Sequence, residues 1–312
     1  MKRLKYFVFS LLILYVFAGL ADHYYYRWIK TTALFSGEVQ EWNRVEEGQI
    51  NTDIAVFGSS RAFIHIDPEL LSKKLNQSVY NLGLNGSKFK MQYYRFDEYL
   101  IHNPKPKMIV WNLDTFSFSN IKQVFQPNQY VPFMLWNFKL YYYLKDYQDI
   151  NFLDFVLPFY RYRDQKYWSS EHEKAEKEKL NADQMFRSKG FKSYNRAWKV
   201  DWDKLKYKKV DFDEESYQLL EKLIVRCQKE NIKLVFTIAP EFYKGQKYML
   251  NRAEIINRYQ TTLAKYNLPL LDYSTNEISY DQDLFYNTTH MNMKGAKKFS
   301  TELAEDLRRI NK

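Results

Sequence analysis

Ile54-Ala55-Val56-Phe57-Gly58-Ser59-Ser60-Arg61 is the stretch on which the fold turns. Four apolar residues in a row, closed by a glycine and two hydroxyls, read as a short strand buried on both faces and followed by a tight turn. Runs of the same kind recur at residues 78–82, 108–111, 234–238 and 268–271. Segments with helical apolar spacing alternate with them at 68–75, 91–102, 215–229, 253–266 and 294–310. This alternation predicts an α/β fold, a three-layer sandwich around a five-stranded, flavodoxin-like parallel sheet. The serines after Phe57 then fall at the carboxyl edge of the sheet, where open α/β sheets bind ligands. Between about 117 and 210 the regularity lapses into a stretch rich in Tyr, Phe, Trp and Lys. It reads as an insertion, a lid or subdomain, whose aromatics mostly pack inside and whose charged run at 171–179 is a solvated helix face.

Outward from that sheet, the N-terminus reads as a membrane segment. Lys2, Arg3 and Lys5 precede an uncharged apolar run over residues 6–21, followed by Asp22, Tyr24, Tyr25, Tyr26 and Trp28. Basic flank, apolar span and aromatic belt stand in membrane order, and the positive-inside rule puts everything from Trp28 onward outside the cytoplasm. A single-pass transmembrane helix within residues 1–30 is expected. A cleavable signal peptide competes, because Gly19 and Ala21 offer small residues before Asp22. A juxtamembrane segment at 31–52, helical from about 38 to 47, leads to one domain spanning 53–312. The 312 residues carry 47 Lys+Arg against 37 Asp+Glu, a net charge of +10, and one cysteine, Cys227. A single cysteine excludes an intramolecular disulfide and a clustered cysteine-zinc site. The positive excess suits an anionic surface or polymer, and with the domain outside the cytoplasm nucleic acid is not the expected partner. The sequence has neither a Gly-rich Lys-Ser/Thr loop nor a convincing metal-ligand cluster, so no cofactor and no metal are expected.

Nine glycines are about 3% of the chain against a usual ~7%, so the placement of Gly58, Gly83, Gly86 and Gly295 at strand ends and turns is informative. A serine at a sheet edge is a candidate nucleophile, although Ser59 or Ser60 also suits a helix cap or a turn. A serine nucleophile needs a base. Of the five histidines, His23 lies beside the apolar run, His172 in the charged run, and His102 at a helix end, where a cation offsets the dipole. His65, close to Ser60 in the chain, stays open. His290 stands out, because Asn287-Thr288-Thr289-His290-Met291-Asn292 leads into Gly295-Ala296 and an amphipathic helix.

In order and spacing these blocks resemble the SGNH (GDSL-like) hydrolases and acyltransferases, particularly their membrane-anchored extracytoplasmic branch. Gly58-Ser59-Ser60-Arg61 is similar to the first block of that family, Asn81-Leu82-Gly83-Leu84-Asn85-Gly86 to the second, and Asn287 to His290 with Gly295-Ala296 to the last. The resemblance implies an SGNH-like catalytic domain over 53–312, in which Ser60 attacks an acyl carbonyl and His290 takes its proton. The amides of Ser60 and Gly86 then hold the oxyanion. There are two departures. The family has Asp three residues before the histidine, where this chain has Asn287; an amide orients an imidazole but brings no charge. Asn287 is the favoured orienting residue, with Asp283 or Asp281 as the alternative. The family's third block, Gly-x-Asn-Asp, here reads Trp111-Asn112-Leu113-Asp114. Asn112 is then a candidate oxyanion donor in a shifted register, and Asp114 must position another group or repel the intermediate.

The expected function is a membrane-anchored serine esterase or O-acyltransferase. It acts through an acyl-Ser60 intermediate on acyl groups, O-acetyl above all, of a cell-surface glycan, with transfer to a sugar hydroxyl preferred over transfer to water. The anchored branch also implies a membrane-bound O-acyltransferase as partner. The competing expectation is an inactive SGNH-fold subunit that binds or scaffolds a cell-envelope polysaccharide assembly. Asn287 and the altered third block favour it; Ser60 and His290 oppose it.

Overall fold

The computed structural model describes residues 2–30, 37–163 and 187–310. His172 and the charged run at 171–179 lie outside the described residues. The chain divides into two compact units: Val45–Ile121 with Arg187–Lys312, and Met1–Arg44 with Lys122–Phe186. The aromatic-rich stretch is therefore shared between them.

The larger unit is built on five parallel strands, β1 (Ile54–Phe57), β2 (Val79–Asn81), β3 (Met108–Asn112), β4 (Lys233–Ile238) and β5 (Leu270–Asp272), in the order β2-β1-β3-β4-β5. This is the flavodoxin-like order that the strand and helix alternation predicts. In register, Ile54 faces Val79 on one side and Met108 on the other, and Phe57 faces Trp111. β1 and β3 are buried along their whole length, as strands with helices over both faces must be.

Residues alternate between the two faces. Ile54, Val56, Met108, Val110 and Val235 join one core with Ala62, Leu71, Phe299, Leu303 and Leu307. These come from α3 (Ser60–His65), α4 (Pro68–Leu75) and the C-terminal helix Met293–Ile310. That last helix buries Ala296, Phe299, Ser300, Leu303, Ala304 and Leu307, a stripe at helical spacing. On the opposite face Phe57 stacks on Trp111 at 5.1 Å and meets Phe96 and Tyr99 of α5 (Phe89–His102) edge-on.

The spacing pattern starts its first crossover helix at residue 68, whereas the chain turns helical directly at Ser60. Ser59 is the cap: its Oγ accepts the Arg61 N–H at 3.3 Å. Six residues are too short to show a helical period, so α3 has no signature in the sequence. Asp67 caps the next helix, accepting from the amides of Glu69 and Leu70, with Pro68 in its first turn. Residues 188–191 close the β2 edge, where the Asn81 N–H donates to Lys189 O at 2.9 Å.

In the smaller unit, α1 (Lys2–Lys30) is long and apolar enough to cross a membrane. Beyond α2 (Glu38–Glu46), this unit carries the short helices α6 (Phe138–Leu144) and α7 (Leu153–Val156).

Gly58 makes the turn from β1 into α3 possible. Its φ is 142°, and a Cβ there would stand 2.8 Å from Ala62 Cβ and 2.9 Å from the Asn112 carbonyl. The substitution Gly58→Ala is expected to lower stability by about 1–3 kcal/mol, seen as an earlier midpoint in chemical denaturation; an unchanged midpoint contradicts this reading of the turn.

Candidate active site

Ser60 is the first residue of α3, directly past the end of β1, with 6% of its surface exposed. Its Oγ lies 2.9 Å from His290 Nε2, a contact between residues 230 positions apart. His290 sits in the loop ahead of the C-terminal helix, and Asn287 shapes that loop. The Asn287 Oδ1 accepts the backbone N–H of Thr289 at 2.9 Å and of His290 at 2.8 Å, and lies 3.2 Å from His290 Nδ1. Two backbone donors identify that atom as the oxygen, and Thr289 Oγ1 also lies 3.2 Å from Nδ1. In the tautomer with the proton on Nδ1, donated to these oxygens, Nε2 is bare and turned to the Ser60 hydroxyl.

Of the three candidate orienting groups, Asn287, Asp283 and Asp281, the structure brings Asn287 to the imidazole. Asp283 is exposed, its amide donates to Asp281 Oδ1 and its carbonyl accepts from Asn292; its carboxylate makes no bond to His290 among the described residues. The ring of Tyr286 stacks on the imidazole at 5.6 Å and within 5° of parallel. Burial in this setting pulls the His290 pKa down to about 4. Arg61 and Arg196 push the same way and Glu241 opposes them.

Both neighbours of Ser60 are tied into a buried charge network. Ser59 Oγ donates to Asp114, and Arg61 pairs with Asp114 and with Glu241, which follows β4. Burial opposes the Arg61 charge, but the two carboxylates outweigh it and raise its pKa above the ordinary value. Asp114, which the sequence left open, thus bonds both neighbours of Ser60. Asn112 is corrected from candidate oxyanion donor to strap: its Nδ2 donates to Asp114 Oδ1 at 2.9 Å, and its Oδ1 accepts from Ala239 N at 2.8 Å and Thr237 Oγ1 at 3.2 Å. With no surface exposed, that amide is spent inside the protein.

Asn81 is structural as well: its Nδ2 donates to the carbonyls of Ala62 and Ile66, and its Oδ1 accepts from Gly83 N. His65 is fully buried and accepts the Met291 N–H on Nε2 at 3.0 Å. Burial, then His290 and Arg61, keep it neutral with a pKa well below the usual value. It braces the His290 loop from below. His23 and His102 lie elsewhere, His23 on α1 and His102 beside Glu98.

A cavity of about 660 Å³ opens beside the pair, with Gly86, Arg61 and Thr289 among its walls. Lys88, Lys206 and Lys208 also line it. The Lys88 ammonium stands 4.5 Å over the Phe116 ring. Burial lowers its pKa to about 8, with Asp114 opposing and Lys208 assisting. Sequence reasoning missed Glu241 and Tyr286. Glu241 stands just past a strand end, the position that singled out Ser60; Tyr286 has no signal in the sequence.

No protein-family model and no curated protein sequence matches the chain. Several solved structures are similar to it. They include a candidate acylhydrolase from Bacteroides fragilis (TM-score 0.41, 10% identity, 86% of this chain and 94% of that one). Another is described as a candidate platelet activating factor from Streptococcus pneumoniae (TM-score 0.47, 10% identity, 96% and 99%). A third is a GDSL-like lipase from Bacteroides thetaiotaomicron (TM-score 0.44, 9% identity, 88% and 99%).

The uncharged partner of His290 has a titratable consequence. With Asn287→Asp, a carboxylate replaces the amide oxygen 3.2 Å from Nδ1 and favours the imidazolium. The His290 pKa is expected to rise from about 4 by at least about one unit, measured by following its ring resonances against pH. A pKa that stays put means the amide is not the group facing Nδ1.

Proposed function

We propose that the chain is a membrane-anchored serine esterase or O-acyltransferase that passes an acyl group through Ser60. The observation that carries this reading is the 2.9 Å contact between the Ser60 hydroxyl and Nε2 of His290, a nucleophile and its base joined across the fold. The order of the Ser60, Gly86 and His290 blocks, with its resemblance to the SGNH hydrolases, supports it.

In the first half-reaction His290 Nε2 takes the Ser60 proton as Oγ bonds to the acyl carbon. The Ser60 amide, in the first turn of α3 where helical N–H groups have no partner within the helix, is placed to donate to the developing oxyanion, and the Gly86 amide is the second donor. Collapse of the tetrahedral intermediate breaks the bond to the leaving alcohol, which takes the proton from His290. In the second half an incoming hydroxyl gives its proton to His290 and attacks the acyl-Ser60 carbon, releasing Ser60 with its proton restored. Water as acceptor makes the enzyme an esterase; a sugar hydroxyl makes it an acyltransferase.

We assign the acyl groups to a cell-surface glycan. The lysine-lined cavity next to the pair suits a glycan that carries anionic groups, and the apolar α1 with the basic flank before it supports a domain at a membrane on the extracytoplasmic side. Asn287 tunes the reaction. A base with a pKa near 4 is unprotonated at every pH above about 5, and the amide brings no charge of its own to the imidazolium.

A fluorophosphonate probe is expected to label the wild-type chain and not Ser60→Ala or His290→Ala, and Ser60→Ala is expected to reduce hydrolysis of acetyl esters by more than about 10³-fold. A wild-type chain that neither labels nor turns over acylated glycans belongs to the scaffolding alternative. Replacing Lys88 and Lys208 by alanine is expected to raise KM several-fold more for an anionic acyl ester than for a neutral one; equal changes remove the anionic glycan from the proposal.

A further inference from the structure

In the smaller unit, α1 is docked along one stripe that begins inside its apolar run. Tyr15, Gly19, Asp22, Tyr25 and Ile29 recur at helical spacing on one face. The Tyr15 hydroxyl donates to Val156 O at 2.6 Å, and the Trp136 indole N–H donates to the Tyr15 oxygen at 2.8 Å. Trp136 also lies against Gly19, where a Cβ would stand 2.6 Å from the indole. Asp22 is fully buried, pairs with Arg161, and accepts the Phe159 N–H at 2.5 Å. Tyr25 meets Tyr162 edge-on at 4.8 Å. A leader severed before Asp22 would strip away the Tyr15 and Gly19 contacts, so the docked stripe favours a retained helix.

The apolar run ends at Ala21, so the segment from Tyr15 to Ala21 is anchor and docking site at once. At 1.5 Å per residue this overlap is about 9 Å long. The residues around it have an outer face that is strongly apolar: Trp136, Phe138, Tyr142, Phe152, Leu157 and Phe159 are each between 39% and 56% exposed. The exposed charges Lys145, Asp146 and Asp149 fall in the connection between α6 and α7, where the Lys145 ammonium lies 5.0 Å over the Tyr142 ring, an apolar stem with a charged tip as interfaces accept. Two polar groups on the apolar side are satisfied internally. Tyr15 and Trp136 are at least a third exposed, yet the hydroxyl and indole N–H are spent on each other and on a carbonyl. Water makes such bonds unnecessary; hydrocarbon makes them obligatory.

We infer that the exposed apolar side chains between Trp136 and Phe159 are immersed beside α1 in the lipid interface, to a depth of about 9 Å, with phospholipid covering them and the charged connection between α6 and α7 at the headgroups. The occupant follows from position: the face is level with the part of α1 that is itself apolar and lipid-facing, so whatever covers it must lie within the bilayer. The tyrosines and tryptophan are the side chains that interfaces select. The anchor is therefore broadened from a single helix into a helix with a collar. This inference does not depend on the proposed chemistry.

The native cysteine makes the test direct. Cys227 is buried, and its burial raises the thiol pKa to about 12, so a dye attached through an added cysteine reports only the chosen position. The full-length chain, reconstituted in phosphatidylcholine vesicles, carries an environment-sensitive fluorophore at Phe138→Cys, Phe152→Cys or Leu157→Cys. Leu12→Cys on α1 is the lipid reference and Lys265→Cys in the larger unit the aqueous one. Nitroxide-labelled lipids are expected to quench the three collar positions to at least half the extent seen at Leu12→Cys, and aqueous iodide to quench them several-fold less than Lys265→Cys. Quenching by iodide with little by lipid overturns the inference, because the face is then in water. Protection from both quenchers also overturns it, because protein then covers the face, and so does a mature chain whose mass lacks residues 1–21.

Discussion

A carboxylate sealed inside the protein holds the site together. Asp114 accepts from Ser59 and Asn112 and pairs with Arg61, which reaches on to Glu241. The carboxyl ends of β1, β3 and β4 thus converge on a single buried group. Buried charges tolerate no missing partner, and removing one side of such a pair costs about 3–5 kcal/mol. The geometry is therefore over-determined at the one place where chemistry is proposed. Ser59 and Arg61 flank Ser60, so with both neighbours pinned the hydroxyl between them has little freedom. The lysines of the adjacent cavity differ in kind from Arg61: its charge is consumed by two carboxylates, while theirs lies along the cavity wall.

The other half of the site rests on backbone amides. The Asn287 oxygen gathers two N–H groups of its own loop before it meets the imidazole, so one side chain both shapes the loop and reaches the ring. His65 repeats the economy from beneath, bracing the same loop through the Met291 amide. A buried imidazole close to Arg61, with no carboxylate on Nδ1 among the described residues, titrates low because burial disfavours its charged form.

Much of this was legible in the chain. The apolar runs at β1, β3 and β4 are long enough to be read, and their order relative to the helices carries the sheet topology. Ser60 and His290 stood out as candidates because one follows a strand end and the other precedes a patterned helix, and Asn287 through the family resemblance; the structure brings the three side chains together. What escaped has physical reasons. α3 is shorter than the window in which a period becomes visible. Asn112 looked like a donor because a sequence shows that an amide is present and not which way it faces; here the edge of β4 claims it first. Tyr286 and the brace from His65 depend on loops folding back on one another, and no local pattern encodes that. The aromatic stretch from 117 looked like one insertion because its composition is uniform, although its last part, from Arg187, belongs to the larger unit.

The 230 residues between Ser60 and His290 also set a schedule. A chain emerging from the ribosome, or threaded through a translocation pore, presents its alcohol early and its imidazole only near the very end. Until the C-terminal helix seats against the sheet, the serine is an ordinary hydroxyl in a turn. Under the proposed chemistry the protein is thus born unarmed, and a polypeptide cut short anywhere before His290 would lack the base that Ser60 needs.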